Sequence, residues 1–180
     1  MPFKEGVKMR FSIIDLDKVK AKLEVIFLRY GCKDKLDEFV HDRQFFELKG
    51  KYNQIFMFNS DNNILLNFIN NLISINFHPY SVGVPIVVYN DIEVLPTLAF
   101  GSYLVNMCKN KIVIKDYNLL YKLIYKKPIY MGLVYNLRDA IAVDNLGNFI
   151  AYVKIFKNRR RGLSEIIPTK DIGWYLRRGG

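Results

Sequence analysis

The sequence predicts an α+β protein of two modules. A neutral α+β domain is expected over residues 1–93, and a basic, strand-dominated domain over residues 94–180 that folds as a compact, partly closed barrel. Three observations carry this expectation. Hydrophobic residues make up 51% of the 180, enough apolar material for two modest cores. Charge is divided unevenly: residues 1–93 hold 12 Lys+Arg against 12 Asp+Glu, while residues 94–180 hold 15 against 5. The whole net charge of +10 therefore sits in the second half. Finally, the first half mixes two helical periods with short strand-like runs, whereas the second reads mostly as strands.

The clearest helix is DLDKVKAKLEVIFLRYG. Leu16, Val19, Leu23, Ile26, Phe27 and Tyr30 fall on one face at steps of three and four, with Asp15 or Asp17 as cap and Gly31 as stop. QFFELKG and NQIFMFN read as an antiparallel pair. SDNNILLNFINNLISI reads as a second helix, capped by Ser60 and burying Ile64, Leu65, Phe68, Ile69 and Leu72. The stretch VGVPIVVYNDIEVLPTLAF is β-rich but interrupted by Pro85 and Pro96, so it is expected as edge strand and crossover. The charge change falls within it, and the domain boundary is drawn there.

In the second half KIVIK alternates as a short strand, and DYNLLYKLIYKK is a helix capped by Asp116 with Leu119, Leu120, Leu123 and Ile124 inward. PIYMGLVYN and AIAV follow as strands. AIAVDNLGNFIAYVKIF is a hairpin turning at Asp144–Asn148, where Asn and Gly permit a tight reversal. EIIP is expected as a strand ended by Pro168, before a small terminal helix, TKDIGWYLRR.

Catalytic chemistry finds little support. His41 and His78 lie in the neutral half with no Ser or Cys motif beside them, and the glycines show neither Walker nor dinucleotide spacing. Asp15/Asp17 and Asp37/Glu38 read as a helix cap and a solvated face, and no metal-ligand spacing is present. A non-enzyme with no cofactor and no metal is expected. Cys32 and Cys108 are far apart in sequence and read as reduced, packed thiols of a cytoplasmic protein. The opening residues show no signal-peptide pattern, and no apolar run reaches membrane-spanning length.

The basic run KIFKNRRRG is different in kind. Lys154, Lys157, Arg159, Arg160 and Arg161 crowd the end of a strand and the loop after it, and the terminal helix region adds Lys170, Arg177 and Arg178. Arginine grips phosphate bidentately and stacks on bases. Lys154 and Phe156 are expected on opposite faces of the strand end, Tyr152 and Phe156 on one face, and Trp174 packed on the barrel. Tyr152, Phe156 and Tyr175 are the candidate base-stacking rings. RNA is the expected partner, with no membrane partner and a monomeric chain.

The C-terminal stretch IIPTKDIGWYLRR resembles the final strand and helix of the Nip-seven family of ribosome-biogenesis factors, whose members end in a similar Asp-Ile-Gly-x-Tyr-(Val/Leu)-Arg run. Asp171, Ile172, Gly173, Tyr175, Leu176 and Arg177 match it. NLGNFIAYVK, KIVIK and LIYKKPIY take the places of the family's hairpin, Lys-Val-Trp-Ile-Lys strand and Leu-Tyr-Gly-Asn-His-Val segment. Tyr125-Lys126-Lys127-Pro128-Ile129 replaces the glycine and polar pair of that last segment, and PIVVYNDI lacks the positive charge of the family's inter-domain stretch. The resemblance implies an N-terminal pre-PUA domain followed by a PUA domain, a mixed β pseudo-barrel that binds RNA. It further implies a role in large-subunit ribosome biogenesis and pre-rRNA processing, with assembly proteins docking on the N-terminal domain. The alternative is an RNA-modifying enzyme or its RNA-binding accessory subunit.

Overall fold

Helix α1 (Leu16–Tyr30) forms where the periodicity places it, with Val19, Leu23, Ile26 and Phe27 fully buried. It stops at Gly31, whose φ of 74° suits glycine and whose missing Cβ leaves room for Asn110, 2.6 Å from where that atom would lie. Residues 10–59, 63–77, 82–158 and 162–178 are described in this computed structural model, with side chains omitted at 59, 63–66, 175 and 178. The chain divides into two units: Met1–Ile26 with Asp34–Phe100, and Phe27–Lys33 with Gly101–Gly180. The segment 27–33 thus joins the second unit, and the chain crosses between units after Phe100 rather than at the change of charge.

The first unit is an antiparallel sheet in the order β1 (Arg10–Ile13), β2 (Arg43–Lys49), β3 (Asn53–Asn59), β4 (Val84–Tyr89), β5 (Val94–Pro96). Two elements here escaped the sequence reading, β1 and the short helix α2 (Leu36–Val40). Both faces of the sheet are covered. On one, Phe11, Phe46, Leu48 and Phe56 pack with Ile69 of α3 (Asn63–Ser74). On the other, Phe45 and Glu47 are also buried, as alternation along β2 requires. The proline-broken stretch forms a hairpin rather than a crossover: β4 pairs on both sides, and β5, which carries Pro96, is the expected edge strand. Pro85 is tolerated because the β3 register slips beside it, from Ile55↔Val87 to Phe56↔Pro85.

In the second unit α4 (Gly101–Met107) is a helix in a stretch to which the sequence reading assigned no element. Gly101 meets the sheet closely, since a Cβ there would fall 2.5 Å from the Phe149 ring. The sheet runs β6 (Lys111–Val113), β8 (Asp139–Val143), β9 (Phe149–Asn158), β10 (Leu163–Asp171), β7 (Ile129–Met131), with the β6–β8 pair parallel and the others antiparallel. On one face, Leu120 and Leu123 of α5 (Tyr117–Ile124) pack with Ile112, Ala140, Ala142, Val153, Ile155 and Ile166. Asp116 caps α5 by accepting from the Asn118 amide at 2.8 Å. The Asp144 carboxylate organises the β8–β9 turn: the Asn148 side-chain amide donates to it at 2.8 Å, the backbone amides of Asn148 and Leu146 donate to it as well, and these bonds hold it below its ordinary range.

Two sequence expectations are corrected in this unit. Pro168 does not end the last strand. It pairs with Val153, past the end of β7, and β10 continues through a bulge between Pro168 and Lys170. Cys32 and Cys108 form a disulfide, their Cα atoms 4.6 Å apart. Distance along the chain hid the pairing. The main chain just beyond α1 is drawn against the start of β6, where the Asn110 amide donates to the Tyr30 carbonyl at 3.1 Å.

Candidate nucleic-acid interface

Side chains along a strand alternate between faces with period two. Lys154 and Phe156 of β9 therefore share the outward face, contrary to the expectation of opposite faces, and Ile155 between them is buried in the core. In register beside Lys154 stand Asp139 of β8 and Ile167 of β10. Glu165 of β10 stands between Phe156 and Tyr130 of β7. The Tyr130 hydroxyl donates to Glu165 Oε1 at 2.9 Å, and that bond raises its pKa. Lys157 Nζ donates to Asn136 Oδ1 at 3.1 Å. The outward strip thus offers two aromatic rings and a lysine, with carboxylates adjoining them. Phosphate would be held best away from Asp139 and Glu165.

The remaining sequence candidates fare differently. Tyr152 is 1% exposed and cannot stack a base: Tyr30 lies 5.4 Å and Phe149 4.8 Å from its ring centroid. Burial pushes its hydroxyl well above the usual tyrosine range. Lys170 sits opposite Tyr152 after the bulge and is half-buried. Arg177 belongs to the architecture. It grips the buried Asp171 through two bonds, Nη1 to Oδ1 at 2.8 Å and Nη2 to Oδ2 at 2.9 Å, and also donates to the Ile124 carbonyl. Gly173 completes this clasp, because a Cβ there would lie 2.1 Å from the Ile124 oxygen. The clasp secures α6 (Trp174–Arg178), where Trp174 is 41% exposed. Of the six residues that carry the C-terminal resemblance, Asp171, Gly173 and Arg177 thus serve the architecture. Arg159, Arg160 and Arg161 lie outside the described residues, as do the side chains of Tyr175 and Arg178.

The sequence reading missed the outer side of α5. It assigned the inward leucines but not Tyr117, Tyr121 and Tyr125, which recur every four residues and are solvent-exposed. That period was visible in the sequence. Of the histidines, His41 is exposed and sits 2.7 Å from Asp42 on the surface, while His78 lies outside the described residues. Among the described residues no cluster of His, Cys, Asp or Glu could hold a metal ion, and no helix is long and apolar enough to cross a membrane.

Counted by structural unit, the charge division sharpens. The second unit holds 17 Lys+Arg against 5 Asp+Glu and the first 10 against 12, because Arg29 and Lys33 join the basic side.

No family model and no curated protein matches the chain. Among solved structures it is similar to one described as the structure of a conserved PUA domain protein from Thermoplasma acidophilum. The TM-score is 0.56 at 13% identity, covering 94% of this chain and 98% of that one. A likeness at that identity concerns the path of the backbone: this chain has a PUA-like fold.

Proposed function

We propose that the protein binds RNA through its basic unit and serves as a non-catalytic factor in large-subunit ribosome biogenesis. The observation that carries RNA binding is the concentration of cationic side chains in one of two units, where they raise the local concentration of a phosphate backbone and hold it. The PUA-like fold supports the same reading. The ribosomal role rests on the Nip-seven resemblance, whose matched C-terminal residues build the Asp171–Arg177 clasp described above.

The test is an anisotropy titration of a uridine-rich single-stranded RNA with the full chain at several salt concentrations. If about five phosphates are neutralised, log Kd changes with log salt at a slope of about 3.5 in magnitude. Changing Lys157, Arg159, Arg160 and Arg161 to Ala is expected to weaken binding and to reduce that slope by about 0.7 for each phosphate no longer neutralised. Wild-type chain that shows no salt-dependent RNA binding overturns the reading.

A further inference from the structure

We propose that the outer side of α5 is a base-stacking platform for single-stranded RNA, with Tyr117, Tyr121 and Tyr125 as the stacking rings and Lys122 and Lys126 as a cationic rail beside them. This site rests on the RNA-binding reading and gives it a place. It shares no residue with the basic run of 154–161.

Helix α5 buries Leu120 and Leu123, and that face is fully used in the core of the second unit. The tyrosines on its other side are 74%, 62% and 41% exposed, so packing does not account for three aromatics on one stripe. The Tyr125 amide donates to the Tyr121 carbonyl at 3.1 Å, so the helical spacing continues to the third ring. Four residues of helix advance about 6 Å. Stacked bases repeat at about 3.4 Å, so a gap of two such steps between Tyr117 and Tyr121 admits one base. Tyr121 and Tyr125 are closer, with centroids 4.5 Å apart and hydroxyls 3.2 Å apart. That pair braces itself and offers its outer faces.

Charge completes the match. Lys122 and Lys126 repeat the four-residue period one position further round the helix, and Lys115 and Lys127 flank its ends. All four lysines are exposed. The one acid in the segment 115–127 is Asp116, whose carboxylate is engaged in capping. Planar rings beside a row of exposed cations suit a strand with exposed bases and a phosphate backbone, and suit an apolar protein surface poorly.

Lys126 adds an independent observation. It terminates α5 with a φ of 59°, in the left-handed region. Its amide donates to Leu123 O at 2.9 Å and that of Lys127 to Lys122 O at 2.8 Å. This closure is the one glycine adopts freely and a side chain resists. A lysine is held there at a cost to stability, and the strain places its charge at the end of the rail.

The experiment titrates the same uridine-rich RNA with the full chain and three variants, with circular dichroism confirming that each folds. Changing Tyr117 and Tyr121 together to Ala removes only exposed rings; it is expected to raise Kd about 10- to 100-fold while leaving the salt slope unchanged. Phe at both positions should retain binding, because the ring and not the hydroxyl stacks. Lys126→Gly is expected to raise the melting temperature yet weaken binding, with the salt slope smaller by about 0.7. If wild-type chain binds RNA but the Ala pair stays within about twofold of it, the platform is overturned while the RNA-binding reading stands. The same holds if Phe fails as Ala does, or if Lys126→Gly binds as wild type. Wild-type chain that does not bind RNA at all overturns the function itself.

Discussion

Reduction of the Cys32–Cys108 disulfide offers the sharpest test of how the second unit is assembled. The bridge joins residues 76 apart in sequence, so in the oxidised chain a long loop stays closed even after unfolding. Applying the chain-entropy relation to a loop of that length gives a stabilisation of about 4.5 kcal/mol at 25 °C, against a usual range of about 2–5 for native bridges. For a unit this small, each kcal/mol moves the melting temperature by about 4–8 °C. Loss of the bridge is therefore expected to lower it by roughly 20–35 °C. The assay is thermal unfolding followed by circular dichroism, with and without reductant, beside a Cys32→Ala/Cys108→Ala variant. Oxidised chain should show no titratable thiol when denatured, and the variant should melt like reduced wild type whether or not reductant is present. Two free thiols in chain denatured without reductant, together with a melting curve indifferent to reductant, would refute the reasoning and restore the expectation of separate, reduced cysteines.

Burial in the second unit makes two further predictions. Tyr152→Ala should cost about 3–5 kcal/mol in unfolding free energy, the range for removing a fully buried aromatic, whereas Phe156→Ala, on the exposed face two residues on, should cost less than about 0.5. Equal effects in denaturant titrations would contradict the assignment of the two rings to inside and outside. Burial pushes Tyr30 from the ordinary value of 10.0 up to about 12. The folded state then holds that proton more tightly than the unfolded state does. The associated stability is whole below pH 10.0, and is lost as pH rises towards about 12. Ultraviolet titration of tyrosinate should show Tyr30 ionising late, and Tyr30→Phe should flatten the alkaline fall in stability. An unchanged alkaline profile in Tyr30→Phe would count against it.

How much was legible in the sequence depends on the range of the interaction. Helices α1 and α5, the β2–β3 pair and the Asp144 turn each arise from neighbours within a few residues, through a 3.6-residue or two-residue apolar period and a capping or turn side chain. A linear reading finds such features, and it found these. The helix α4 was missed because its seven residues are too few to show a period, and β1 because its partner lies more than 30 residues away.

The candidate site divides along the same line. The unequal charge of the two halves is a property of composition and needed no coordinates. Tyr152 and Phe156 have the same parity on one strand, yet Tyr30, more than 100 residues distant, lies over the first ring while the second is 52% exposed. Arg177 reads as a phosphate ligand until the buried Asp171 and the Ile124 carbonyl are seen to claim it. By itself, then, the sequence determined the local elements and the sign of the surface. Which aromatics are covered, which cations are already paired and which cysteines meet were decided only by the tertiary structure, because each depends on partners that folding brings together from distant parts of the chain.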